Sequence, residues 1–120
     1  MYATAHDWAR LAQLYAEDGT VDGQRLLPED WVDLVSLPTE GSDGAYGMGF
    51  WLPEDHENLP DGTFMMRGFQ SQLAYIMPQQ DLVIVRFGAT NRVASGAGEL
   101  AAGVAAALRD RPAPHIGTAD

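Results

Sequence analysis

Neither cysteine nor lysine occurs anywhere in the 120 residues. The first absence removes disulfide bonds, thiolate nucleophiles and sulfur-ligated zinc together. The second removes every reaction that needs a deprotonatable side-chain amine, because all seven basic side chains are arginines that stay protonated. Positive charge is scarce as well: 17 acidic residues against those seven arginines give a net charge of −10. So acidic a chain offers no basic footprint for phosphate backbones or anionic lipid, and neither nucleic acid nor a membrane is an expected partner. No apolar run is long enough to span a bilayer. The N-terminus also lacks the basic start and apolar block of a secretory signal, which makes a cytoplasmic chain the default expectation.

Hydrophobic residues make up 46% and charged residues 20%, proportions at which a chain of this length buries one ordinary globular core. The segment "TAHDWARLAQLYAEDG" predicts an amphipathic helix: Thr4 and Asp7 have capping-box spacing, and Trp8, Leu11, Ala12 and Tyr15 share one face. Gly19 closes it, Asp22-Gly23 marks a tight turn, and "PEDWVDLVS" predicts a second helix with Pro28 at its first position. After a loop at 38–44, "YGMGFWL" has the aromatics of a strand, with glycines where a backbone must be approached closely.

Beyond a second loop, 53–62, three strands are predicted at 63–67, 72–77 and 82–87, the last two joined by a "PQQD" hairpin turn and paired antiparallel. In "LVIVRF" the apolar residues are successive rather than alternate, the pattern of a strand covered on both faces. Alanine-rich "GELAAGVAAALRD" predicts a helix able to lie close on a sheet, and Pro112 and Pro114 begin a frayed tail. The fold expected is α/β in the α+β sense: a mostly antiparallel sheet flanked by helices over residues 1–110, with a tail at 111–120.

Several constellations invite a chemical reading. Ser36, Ser42, Ser71 and Ser95 accompany His6, His56 and His115, but no G-x-S-x-G is present and the histidines fall on a helix start, a loop and the tail. "DHE" at 55–57 offers oxygen and imidazole donors, yet neighbours in sequence rarely converge on one ion, so no metal is expected. "GAGELA" at 96–101 matches a dinucleotide fingerprint but lies far from the preceding strand and has no parallel strand after it; no cofactor is expected. Trp8, Trp31, Trp51 and the Met65-Met66 pair read as core packing before they read as a ligand cage.

Taken together, "MYATAHDWARLAQLYAEDGTVDGQRLLPEDWV", "YGMGFWL" and "RGFQSQLAYIMPQQDLVIVRFG" resemble, in order and spacing, the C-terminal half of class C beta-lactamase-related serine hydrolases. The nearest branch is the esterase and 6-aminohexanoate-dimer-hydrolase-like one. The resemblance implies hydrolysis of a carboxylic ester or amide through an acyl-enzyme, without metal or organic cofactor. It also implies that this chain is an incomplete, C-terminal portion. The family's nucleophile stands in Ser-x-x-Lys, which cannot be written in a chain without lysine, so the chain alone is expected to be inactive.

The family's third motif, Lys- or His-[Ser/Thr]-Gly, has its nearest match at Met66-Arg67-Gly68 and departs from it at the first two positions. What the resemblance implies there is a cleft wall in which the Phe69 backbone N–H is an oxyanion donor, with Gly68 allowing close approach and Arg67 and Gln70 touching substrate. An ordinary strand bend with a solvated arginine is the plainer reading of the same residues. The alternative function is a non-catalytic binding or assembly module that forms a homodimer, or complements an N-terminal half, through an exposed sheet face.

Overall fold

The computed structural model describes residues 2–54, 57–90 and 96–109. Asp55, His56, Ser95 and His115, together with the tail expected at 111–120, lie outside the described residues.

Helix α1 (Ala5–Ala16) starts where the sequence places it. Thr4 Oγ1 accepts from the Asp7 N–H at 3.1 Å and an Asp7 carboxylate oxygen accepts from the Thr4 N–H at 3.0 Å, so two of the orphan donors at the helix start are satisfied reciprocally. Gly19, at φ 81°, donates its N–H to the Leu14 carbonyl at 2.7 Å and ends it. A minimal hairpin follows, β1 (Thr20–Val21) and β2 (Gln24–Arg25), turned by Asp22 and Gly23 at positive φ.

Helix α2 (Trp31–Val35) begins three residues later than Pro28, where the sequence reading put it. The Pro28 carbonyl accepts from the Trp31 N–H in a single turn, and the helix starts only after Asp30. A second expectation is corrected at "YGMGFWL". Residues 46–51 fold back on themselves instead of extending, with isolated bridges Tyr46 to Trp51 and Trp51 to Met65. The close approach expected of its glycines is real at Gly47, where a Cβ would lie 2.2 Å from the Val35 carbonyl oxygen.

The main sheet has the order β3-β4-β5, all antiparallel: β3 (Phe64–Gly68), β4 (Gln72–Met77) and β5 (Leu82–Arg86). Phe64 pairs with Ile76, Gly68 with Gln72, Leu73 with Arg86 and Met77 with Leu82. The link between β4 and β5 is a 3-10 turn over Pro78–Gln80 that ends at Asp81 in the left-handed region. Helix α3 (Ala97–Leu108) is the last element. With every described strand pair antiparallel, "GAGELA" has no βαβ unit around it, and its Gly96 is the left-handed N-cap of α3.

Strand alternation sorts the core into two layers. Phe64, Ala74 and Ile76, with half-buried Val83 and Val85, pack against Ala12 and Tyr15 of α1. On the other face Met65, Leu73, Tyr75 and Met77, with Leu82 and Ile84, pack against Ala97, Ala101 and Ala105 of α3. The small alanine face lets α3 lie close on the sheet. The sequence reading of "LVIVRF" is therefore right about cover on both faces. What it did not anticipate is position: among the described strands β5 lies at the edge, and each of its five residues is half-buried.

Candidate functional site

The geometry of the site follows from one interrupted pairing at the outer edge of β3. Met65 commits both of its backbone groups to Trp51, receiving an N–H at 2.9 Å and donating its own at 2.8 Å. Backbone groups along an antiparallel strand alternate in direction, so Arg67, two residues on, turns its N–H and C=O to the same outer edge. Continuing that register would set Gly49 opposite Arg67. Gly49 instead has φ 87° and donates its N–H back to the Gly47 carbonyl at 3.1 Å, which turns the chain away. No described backbone group pairs with Arg67 on that edge.

The gap left by the turn is a cleft of about 370 Å³, lined by Gly49, Trp51, Arg67 and Met66 with Trp8 and Tyr15 of α1. A second cavity of about 340 Å³ lies against the sheet and is lined by Trp8, Met66, Arg67, Gly68, Gln72 and Phe87, among others. Trp8, Met66 and Arg67 belong to both. The Arg67 guanidinium carbon sits 5.4 Å from the centre of the Trp51 ring, within reach of a cation–π contact. Arg67 pairs with Leu73 across the sheet and so carries its side chain on the face of Met65 and Tyr75, and it has no ion-pair partner among the described residues.

Arg67 and Gly68 thus line the cavities, whereas Phe69 and Gln70 line neither. They belong to the β3–β4 turn, where Gln70 and Ser71 hold φ of 59° and 67° and the Phe69 side chain is 86% exposed. Two such residues in succession are strained for L-amino acids. The turn is held by the segment after β5: Arg86 donates to the Ser71 carbonyl at 2.7 Å and to Thr90 Oγ1, and the Thr90 N–H donates to the Gln70 carbonyl. Gln72 completes the clamp, its side-chain amide donating to the Gly88 carbonyl while its oxygen accepts from the Gly88 N–H. At Gly68 an added Cβ would meet only ordinary contact, 3.4 Å from Gln72, so the fold itself leaves room for a side chain there.

Trp8, Trp51 and Phe87 are cleft residues that the sequence reading missed, the two tryptophans having been assigned to the core with Trp31 and the methionines. Met65 is core in the α3 layer, and partly buried Trp31 packs against the other layer, that of α1. For these cleft residues the signal in the sequence was the Gly47-x-Gly49 spacing. The other constellations do not assemble: Ser36 and Ser42 hydroxyls donate to nearby backbone carbonyls, and His6 is exposed on the first turn of α1. Among the described residues no group of three metal-ligating side chains converges. No described helix is long and apolar enough to cross a membrane.

Comparison with models of known protein families gives no match. An uncharacterized protein of Alkalihalophilus pseudofirmus is 26% identical to the chain over 98 aligned residues, which cover 72% of this chain and 29% of the relative. The chain therefore spans less than a third of the length of the curated relative it matches.

Proposed function

We propose that this chain is the sheet-bearing portion of a serine hydrolase that cleaves carboxylic esters or amides through an acyl-enzyme, with the nucleophile on polypeptide outside these residues. The observation that carries the reading is the outer edge of β3. Past the Trp51 bridge, Arg67 offers backbone groups to an aromatic cleft, and Phe69 is the next residue of the same parity just beyond the strand. An N–H in that position is suited to stabilising charge on a tetrahedral oxygen, and its support by a clamped turn supplies the fixed geometry such a donor needs.

The other edge of the sheet also supports the reading. β5 carries the sequence of an interior strand but has a neighbour on one side only, among the described residues. Further strands contributed by the remainder of a longer protein would complete it. The same open edge equally suits an assembly module without catalysis, in which a second chain takes that place.

The experiment is hydrolysis of p-nitrophenyl acetate by the purified chain, alone and mixed with a separately expressed partner half carrying Ser-x-x-Lys. The hydrolase reading expects turnover only in the mixture. Inactivity in both, with a monodisperse dimer of this chain, transfers the assignment to the assembly module.

A further inference from the structure

We propose that the cavity between α1 and the sheet binds a small uncharged molecule built mainly of hydrocarbon, the size of one substituted ring. Strand parity defines which side chains face it. Met66 pairs with Ala74 and Gly68 with Gln72, on the face where Ala74 packs against Ala12 of α1. Phe87 continues the parity of Val83 and Val85 onto that face, and Trp8 stands one turn before Ala12 on α1. The space beside Trp8 is open because the sheet has little to fill it with. Gly68 has no side chain, Ala74 has one methyl, and Gln72 is held against Gly88 by both ends of its amide.

The lining decides the chemistry of the ligand. Arg67 and Leu73 also border the cavity, but they pair with each other and direct their side chains to the opposite face, so what they present here is backbone. Gln72 has its amide spent on Gly88. No charged side chain of the lining is therefore placed to balance an ion in this space, and an ion entering it would lose water without gaining a partner. Trp8, Met66, Ala74 and Phe87 offer apolar surface instead, and contacts missing across an apolar void are made when a molecule of matching size fills it. The cavity holds about 340 Å³. An apolar void of about 150 Å³ takes benzene, so there is room here for a ring with a short substituent. Gly68 and Phe87 are exposed, which gives the ligand a way in. The site does not depend on hydrolysis and is tested on this chain without any partner.

The probes are benzyl alcohol and benzoate, titrated into the 120-residue chain and followed by backbone amide shifts and the Trp8 indole N–H. Benzyl alcohol is expected to shift the Trp8 indole and the amides of Gly68, Ala74 and Phe87 more than the rest of the chain. It should bind at least about tenfold more tightly than benzoate, which brings the same ring with an unbalanced charge. Gly68→Val and Ala74→Val each add bulk that grows into the cavity, one from β3 and one from β4, and an added Cβ at Gly68 meets only ordinary contact. Each variant that keeps a native amide spectrum should bind benzyl alcohol at least about tenfold more weakly, whereas Leu100→Ala on the exposed side of α3 leaves the affinity unchanged. Equal binding of alcohol and acid, no binding of the alcohol, shifts centred away from the cavity, or undiminished affinity in a natively folded filled variant would each overturn the proposal.

Discussion

Trp51 and Met65 exchange both of their backbone hydrogen bonds, at 2.9 and 2.8 Å, and the pairing goes no further. One more residue pair, Gly49 with Arg67, would have sealed the outer edge of β3. The positive φ of Gly49 prevents it, and the cleft beside Arg67 is the direct result. A backbone choice at one glycine thereby determines where polar groups are available to a ligand.

The tight approach at Gly47 gives a first prediction. A Cβ there would lie 2.2 Å from the Val35 carbonyl oxygen, and that backbone atom belongs to the end of α2 and cannot swing aside as a flexible side chain would. Gly47→Ala is expected to cost about 1–3 kcal/mol, as overpacking does, measured by urea unfolding. An unchanged midpoint would mean that residues 46–51 do not pack against α2 in this way.

Arg86 clamps the strained turn through the Ser71 carbonyl and Thr90. Arg86→Met keeps much of the aliphatic stem and removes the donors, and should lower stability by about 1–2 kcal/mol. Amide hydrogen exchange should accelerate at residues 69–72 more than in β4. Uniform acceleration across the sheet would assign Arg86 to general stability instead.

Tyr75 is almost fully buried against α3, and burial raises its phenol above the ordinary value of 10.0, with the nearby charge of Glu57 adding to the effect. The folded chain therefore holds this proton more tightly than the unfolded chain does. That contribution is fully present below about pH 10 and is lost as pH rises through the folded value. With no lysine or cysteine to titrate in the same range, Tyr75→Phe should flatten the fall in stability above about pH 10. Identical alkaline limbs for the two proteins would contradict this.

At the other end of the pH scale, hydrogen bonds from the Thr4 backbone and hydroxyl hold the Asp7 carboxyl below its usual value. The capping contribution is present above pH 3.8 and is lost as pH falls through the lower folded value. Thr4→Ala removes the side-chain half of the box at any pH and should cost about 1 kcal/mol. If Thr4→Ala leaves the thermal midpoint at neutral pH unchanged, α1 does not depend on its cap.

Much of this architecture is legible in the residues. Thr4 and Asp7 announce α1, "QLAYIM" gives β4 with its limits, and unbroken "LVIVR" announces cover on both faces. The run of apolar residues cannot say how many neighbours a strand has, because face burial and edge pairing are set in perpendicular directions. Pro28 misleads at α2 because a proline that opens a helix and one that opens a lone turn use the same φ. At the site, Arg67 and Gly68 were reachable from the order of segments. Trp8 and Trp51 were not: a half-exposed tryptophan lining a cleft and a buried one have the same chemistry in sequence, and only the Gly49 turn separates them.

The most direct test of the proposed catalytic role compares two substitutions at Phe69 in a mixture of this chain with a separately expressed half carrying Ser-x-x-Lys. Phe69→Ala removes an exposed ring and keeps the backbone N–H, whereas Phe69→Pro removes the N–H itself. Steady-state hydrolysis of p-nitrophenyl acetate should persist in the alanine variant. In the proline variant kcat should fall about 10²–10³-fold, as for loss of one oxyanion donor, with binding of the two halves retained. Equal kcat in the two variants would contradict the assignment of this backbone N–H to the reaction.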